Sequence, residues 1–401
     1  MSRDRPLPGL AVAAALACGT AVTLGLARIS YALLLPAMRA DLGWSYFTAG
    51  AMNTVNAAGY LAGALAAPWL MQEIGARAAL LAATAATALA LAAHGLVASD
   101  AALYALRFVS GLVSAPSLIA GAVLAAGVAG AAGAGGPTLS PGLVLGMYYG
   151  GTGIGIVAAA LLVPVLGDPA AHRAWQTSWL GLGAAGALAT VLIALGTQRG
   201  EEPSGRVAAK AGDARFQWRP FAPALLAYLL FGLGYIGYMT FVVTLLRERA
   251  LGSGVITAFY AMLGVAVIAS SWIWAGMLQR FRGGESLAIL NALLAVATLL
   301  PLVSAMPLAV FASGLLFGAV FLALVTSTTA LIRHNLAPPS WPAAISAFTV
   351  LFALGQIVGP ALVGFVADRF GGLGPGLACS AAVLALGALA ATRQKALPVS
   401  R

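Results

Sequence analysis

Two arginines stand inside apolar sequence, Arg28 in the run 10–36 and Arg107 in the run 101–126. A charge at the centre of a bilayer costs about 2.5–3.5 kcal/mol on insertion scales, and is kept where it faces water, a partner or cargo. A guanidinium in a low-dielectric cavity suits a carboxylate, sulfonate or phosphate, which it holds with two parallel hydrogen bonds. The acidic residues are Asp4, Asp41, Glu73, Asp100, Asp168, Glu201, Glu202, Asp213, Glu248, Glu285 and Asp368. All of them fall in loops, tails or the ends of apolar runs. Arg28 is therefore the first candidate for an anion ligand. The alternative is that it bonds Asn53, Asn56 or backbone carbonyls and locks the first helix to the second.

Other polar residues could line the same cavity. Tyr31 is three residues from Arg28 and shares its helix face. Tyr235 and Tyr238 occupy the corresponding place in the second half of the chain. Gln356 is a single polar residue in an apolar run. Counted at 1.5 Å per residue from the predicted outer ends, Arg28, Arg107, Asn53, Asn56 and Tyr235 lie at about 8–14 Å depth. Tyr148 and Tyr149 lie nearer the cytoplasmic end. The Thr326–Thr329 cluster reads as hydroxyls bonded to their own backbone. His94, His172 and His334 read as peripheral, solvated positions. Cys18 and Cys379 suggest neither a disulfide nor a metal site. No CxxC, HExxH, Walker lysine or dinucleotide fingerprint occurs. No catalytic set, cofactor site or metal site is expected.

The composition says what must hold these residues. Of 401 residues, 61% are hydrophobic and only 8% charged, which excludes a soluble enzyme, a disordered chain and a nucleic-acid binder. Apolar runs fall near 10–36, 48–70, 78–98, 101–126, 143–166, 175–196, 221–245, 254–278, 286–303, 307–332, 342–366 and 374–392. Each is long enough to approach or complete a bilayer crossing. The first continues past Cys18 to Pro36, longer than the core of a signal peptide. An uncharged Gly/Ala/Pro stretch, 127–142, separates the fourth and fifth. The charged stretch 197–220 reads as a linker between a bundle at 1–196 and another at 221–401.

Basic residues orient the chain. With the N-terminus inside, 14 of them fall on the inner side and 5 (Arg39, Arg173, Arg247, Arg249 and Arg369) on the outer. The positive-inside rule puts both termini and the linker in the cytoplasm. Trp44, Trp69, Trp175, Trp218 and Trp341 sit at predicted span ends, as in an aromatic belt. Nineteen of the 21 basic residues are Arg, which reads as the coding bias of a GC-rich bacterial genome. The expected location is a bacterial inner membrane.

The two halves repeat. A shift of 207 residues lays Gly25–Tyr31 on Gly232–Tyr238 with four of seven positions matching, Gln72 on Gln279, and Gly111 on Gly318. A shift of 204 lays Gly151 and Gly155 on Gly355 and Gly359. Matches in one order at nearly one offset argue for two homologous six-helix halves.

With these features the chain resembles the major facilitator superfamily over essentially its whole length. That family's loop between the second and third helices reads Gly-x-x-x-Asp-Arg-x-Gly-Arg-Arg. Here the stretch ends Gln72-Glu73-Ile74-Gly75-Ala76-Arg77, so Gly75 and Arg77 fit and the Asp-Arg pair is absent. The second-half copy keeps Gln279-Arg280, also without the Asp. The fourth-helix pattern Arg-x-x-x-Gly is present as Arg107 and Gly111. The string Gly25-x-x-Arg28-x-x-Tyr31-x-x-Leu34-Leu35-Pro36-x-Met38 is similar to a bacterial branch of the superfamily. The resemblance implies an all-α fold of twelve membrane helices in two pseudo-symmetric bundles. It also implies coupling or gating roles for Arg107, Gly111, Gly75, Arg77, Gln279 and Arg280.

The expected function is secondary transport of a small solute, an organic anion first, by alternating access of the two halves. Arg28, Tyr31, Asn53, Asn56, Tyr235, Tyr238 and Gln356 are its candidate ligands. The runner-up is an efflux pump for drugs or hydrophobic compounds. A Gly-Pro of the kind that family drug–proton antiporters carry in the fifth helix is missing from Gly151–Gly155, although Gly359-Pro360 with Gly364 suggests a bend in the eleventh. A membrane-embedded enzyme or sensor is disfavoured, because no nucleophile–base or metal set exists. The implied partners are the substrate, a proton or counter-anion, and the bilayer, with no nucleic acid. The chain is expected to act as a monomer.

Overall fold

The structure is a computed structural model and describes residues 9–131, 141–167, 173–198 and 216–397. Arg3, Arg5, Asp4, Asp168 and His172, most of the 127–142 stretch and linker residues 199–215 lie outside the described residues. Among the described residues there is no strand. The helices that matter here are α1 (Gly9–Leu42), α2 (Tyr46–Ile74), α3 (Ala76–His94), α4 (Asp100–Ala131), α5 (Pro141–Leu166) and α6 (Ala174–Gly196). They are followed by α7 (Ala222–Glu248), α8 (Ser253–Arg280), α9 (Glu285–Val303), α10 (Pro307–Asn335), α11 (Trp341–Arg369) and α12 (Leu373–Ala391).

Eleven helices are long and apolar enough to cross a membrane, and α2 is not among them. With 29 residues it spans about 43 Å. Its hydropathy is lowered by Thr48, Asn53, Thr54, Asn56 and Tyr60, of which Asn53 and Asn56 are the candidate ligands. Apolar side chains point outward all along the chain: Leu89, Val165, Val303 and Leu308 are strongly exposed. With so little charge present, such surface is stable only against lipid.

The chain divides into two compact units. One holds Met1–Leu42 and Ala58–Arg206, the other Gly43–Ala57 and Val207–Arg401. Helix α2 thus begins in the second unit and ends in the first.

Each unit contains a close helix crossing that glycine makes possible. In the first unit a Cβ placed on Gly25 of α1 would lie 2.5 Å from Gly155 Cα of α5. One on Gly155 would lie 2.2 Å from the Ala21 carbonyl oxygen, and one on Gly151 2.0 Å from that of Ala17. In the second unit a Cβ on Gly232 of α7 would lie 2.5 Å from the Phe352 carbonyl oxygen. Those on Gly355 and Gly359 of α11 would lie 2.4 Å from the Leu229 and Leu233 carbonyl oxygens. The glycines aligned by the sequence repeat therefore do the same work twice, letting backbones touch where any side chain would hold them apart. Gly364 serves a similar approach to the Tyr46 carbonyl.

Some expectations about positions change. Helix α1 runs through Pro36 to Leu42, because one proline removes one hydrogen bond without ending a helix whose neighbours hold it. Arg28 is then fourteen residues from the C-terminal end of α1, about 21 Å rather than 12 Å. Trp69 and Trp218 are exposed, as an aromatic belt requires, whereas Trp44 and Trp175 are buried, which removes them from such a belt. Trp175 instead donates to Asp41 Oδ2 at 2.9 Å. His94 is fully buried, not solvated. It stacks on Trp179 at 4.6 Å, and its Nδ1 lies 2.6 Å from the Ala90 carbonyl oxygen. The last turn of α3 is covered by α6, which removes it from water. His334 is partly buried, with Nδ1 3.1 Å from the Phe281 carbonyl oxygen. The Thr326, Ser327 and Thr328 hydroxyls donate to carbonyls three residues back.

Candidate functional site

The middle of α1 departs from α-helical geometry. Residues Ala21–Ile29 form a π-helix, closed by the Ser30 N–H donating to the Gly25 carbonyl at 3.0 Å. Among the described residues this is the only π segment. A π turn widens the helix and re-aims side chains, and such segments recur at functional sites. This one contains Gly25, pressed onto α5, and Arg28. The corresponding stretch of α7, around Tyr235, is regular α-helix.

Both intramembrane arginines are buried, Arg28 at 8% exposure and Arg107 at 1%. The Arg28 guanidinium carbon lies 5.2 Å from the centroid of the Tyr60 ring on α2. The Arg107 guanidinium carbon lies 4.5 Å from the Tyr31 ring centroid, and its Nη1 donates to the Ala27 carbonyl at 3.0 Å. A ring face stabilises a cation by about 0.5–2 kcal/mol. That offsets only part of the cost of a charge at this depth. The first unit therefore holds two buried positive charges, one on α1 and one on α4.

The other predicted residues fall into place unit by unit. In the second unit Gln356 Nε2 donates to the Tyr235 hydroxyl. The Tyr235 ring stacks on Phe231 at 4.7 Å and on Phe352 at 5.7 Å. Tyr228 and Phe321 extend the same set of near-parallel rings. Asn53 Nδ2 donates to Thr240 Oγ1 at 2.7 Å, within the second unit. Asn56 is buried. Tyr238 is fully buried; its hydroxyl is 2.6 Å from Ser313 Oγ and its ring is stacked on Phe317. It serves packing inside the second unit. Tyr148 likewise spends its hydroxyl on the Leu118 carbonyl, at 2.6 Å.

The family-type positions separate. Gly75 sits at φ +80°, a left-handed conformation that favours glycine, just before α3. Arg77 donates through Nε to the Thr197 carbonyl and hydroxyl at 3.0 and 3.1 Å, and through Nη2 to the Ala194 carbonyl at 3.2 Å. It caps the end of α6, where a cation also meets the negative pole of the helix. Gln279 and Arg280 are exposed, and Arg280 lies over the Phe281 ring. Gly111 is buried on α4. Beside it, Cβ atoms on Gly59 and Gly63 of α2 would lie 2.1 and 2.0 Å from the Phe108 and Leu112 carbonyl oxygens.

Sequence reasoning missed four features. Tyr60 under Arg28 carries no local signal, being one tyrosine in an apolar run. Thr240 and Ser313 become partners only across helices. The start of α2 is held by carboxylates: Asp368 oxygens accept from Tyr46 N–H at 2.9 Å and Phe47 N–H at 2.8 Å. Glu248 accepts from the Tyr46 hydroxyl at 2.5 Å. No group of three metal-ligating side chains exists among the described residues.

A family model described as "Uncharacterised MFS-type transporter YbfB" matches residues 20–392. No curated protein matches. Solved structures share the fold. The nucleoside transporter NupG (D323A mutant) aligns at TM-score 0.73 and 14% identity, over 95% of this chain and 99% of that one. A bacterial homologue of the human lysosomal transporter Spinster, inward-facing and occupied, aligns at 0.71 and 16%, over 97% of each chain. The human organic anion transporter MFSD10 aligns at 0.60 and 15%, over 96% of this chain and 99% of that one.

Proposed function

The chain belongs to the MFS-type transporter family, and from that premise we propose that its cargo is a small organic anion held by Arg28. Membership makes it a multi-pass membrane transporter and not an enzyme. The observation that carries the anion reading is Arg28 itself. It is a buried guanidinium on a π-helical turn deep in α1, in a sequence with no acidic residue in mid-span. A buried guanidinium is costly, and an anionic ligand that reaches it offsets that cost. Tyr31 and Arg107 belong to the same unit, and Arg107 lies against the Tyr31 ring and the Ala27 carbonyl. Asn53, Asn56, Tyr235 and Gln356 are the polar groups the second unit offers, with Tyr238 kept as a packing residue.

In this reading the bundles at 1–196 and 221–401 alternate access to the two sides of a bacterial inner membrane, with both termini cytoplasmic. The chain works as a monomer. No nucleotide motif exists, so a gradient supplies the energy. A proton travelling with the solute, or exchange for a second anion, fits the lack of mid-span carboxylates. The family-type gate lacks its Asp, so Arg77 acts through the end of α6 and Gly75 through the turn before α3. Gln279 and Arg280 are left to the cytoplasmic surface. The stacked aromatic rings around Tyr235 favour one second reading, efflux of a hydrophobic compound. Neighbours at 14–16% identity carry nucleosides in one case and organic anions in another by their titles, which does not decide between the readings.

The test is ligand-induced thermal stabilisation of the detergent-purified protein, wild type against Arg28→Ala. The panel holds carboxylates, sulfonates, phosphates, sugars and lipophilic cations. A ligand at 100 times its Kd adds about 2.7 kcal/mol of stability. Stabilisation by an anion, lost in Arg28→Ala, is expected. Stabilisation by lipophilic cations alone, kept in Arg28→Ala, overturns the anion reading and favours efflux.

A further inference from the structure

In the second unit, chain at the start of α7 and at the ends of α8, α10 and α12 is tied together by two buried amide side chains. Asn335 Nδ2 donates to the Arg282 carbonyl at 2.7 Å, and Asn335 Oδ1 accepts from the Leu397 N–H at 2.6 Å. The Gln394 carbonyl accepts from the Gly284 N–H at 2.9 Å, and Gln394 Nε2 donates to the Pro220 carbonyl at 3.2 Å. Asn335 and Gln394 are 5% and 3% exposed. These bonds join chain that carries basic residues. They gather Arg219, Arg280, Arg282, Arg333, Arg393 and Lys395 at one end of the unit, and all six are exposed. Glu285 is the one acidic residue there among the described residues. The unit's other described acids, Glu248 and Asp368, hold the start of α2 by the far end of α7. Residues 199–215 of the linker carry four basic and three acidic side chains, so they do not offset the excess.

Three of these arginines lie over aromatic rings: Arg219 over Trp218 at 5.9 Å, Arg280 over Phe281 at 5.7 Å and Arg333 over Trp341 at 5.3 Å. Tryptophan settles at the headgroup level of a bilayer, so the rings set these charges beside lipid phosphates. Guanidinium matches the geometry of a phosphate. Basic clusters at the ends of membrane helices recognise anionic headgroups. We propose that this end of the second unit binds the headgroup of an anionic phospholipid of the surrounding bilayer. The proposal is independent of the cargo and needs only the membrane setting.

The experiment titrates the full-length protein, purified in a neutral detergent, with phosphatidylglycerol, phosphatidylcholine or inorganic phosphate, and reads apparent affinity from the melting temperature. Phosphatidylglycerol binds at least about tenfold tighter than phosphatidylcholine, and inorganic phosphate does not replace it. Each arginine near a charged headgroup is worth about fivefold in affinity. The pair Arg282→Gln and Arg333→Gln therefore weakens phosphatidylglycerol by about 25-fold and phosphatidylcholine by less than about twofold. The pair Arg247→Gln and Arg369→Gln removes the same charge at the C-terminal ends of α7 and α11 and moves neither lipid by more than about twofold. If the first pair does not fold, judged by its melting without lipid, salt decides: raising it from about 0.1 to about 0.5 M weakens phosphatidylglycerol at least about tenfold in wild type. Equal affinity for the two lipids overturns the proposal, as does a phosphatidylglycerol affinity that ignores salt or the first pair. Equal loss with the second pair overturns the location, and full replacement by inorganic phosphate overturns the lipid as occupant.

Discussion

Gly155→Ala tests the close crossing of α1 and α5. An alanine Cβ at this position would stand 2.2 Å from the Ala21 carbonyl oxygen, with the Ala21 carbonyl carbon at 2.8 Å and Cα at 2.9 Å. Ordinary contact needs about 3.4 Å, so the helices must part by about 1 Å. All three obstructing atoms are backbone, and no rotamer change relieves them. Small-to-large changes in a packed interior cost about 1–3 kcal/mol, and this one lies at the rigid end of that range. At about 2–4 °C per kcal/mol for a unit near 200 residues, Tm falls by about 4–8 °C. The displaced segment is the π turn that carries Arg28, so anion-induced stabilisation shrinks as well. The assay is fluorescence-detected melting of detergent-solubilised protein, with Gly142→Ala as control. Gly142 sits on the same helix with nothing within 4 Å of its Cβ position, and alanine there leaves Tm unchanged or raises it slightly. A Gly155→Ala protein that melts within about 1 °C of wild type refutes the reasoning. It would mean that the crossing has slack the structure does not show.

Two further outcomes are expected. In a double-mutant cycle of Tyr235→Phe and Gln356→Leu, the pair couples by about 0.5–1.5 kcal/mol, because each single change breaks the same buried hydrogen bond; additive melting shifts would count against that bond. Arg77→Ala lowers stability by about 1–2 kcal/mol and Arg77→Lys by less, since a lysine keeps the charge at the end of α6 but not the fork of donors; equal melting of all three proteins would remove Arg77 from that role.

Much of this molecule is written locally. The apolar runs mark their own helices, since a backbone in lipid must satisfy its hydrogen bonds within the segment. The glycine repeat was legible for a related reason. A close helix crossing tolerates no side chain, so Gly25 with Gly151 and Gly155, and Gly232 with Gly355 and Gly359, stand out at matching offsets. Arg28 and Arg107 were conspicuous because charge in apolar sequence is costly. Histidine and tryptophan were misread for the opposite reason. Their amphipathic side chains are at home in water, at an interface or in a core, and only the neighbouring helix decides. His94 went into the core because Trp179 covers it; Trp175 went there because Asp41 accepts its N–H.

The sequence by itself thus determined the membrane environment, the helices, their pairing in two repeats and the two charges that call for an explanation. Those properties follow from transfer free energies and steric limits that act residue by residue. The tertiary structure alone decided which partners those charges meet: Tyr60 beneath Arg28, Tyr31 and the Ala27 carbonyl against Arg107, Gln356 on Tyr235. It alone showed that α1 changes its winding between Ala21 and Ile29, where one helix presses Gly25 onto α5 and presents Arg28. Winding and partnership depend on how close neighbouring helices come, and that distance is set jointly by side chains far apart in the chain.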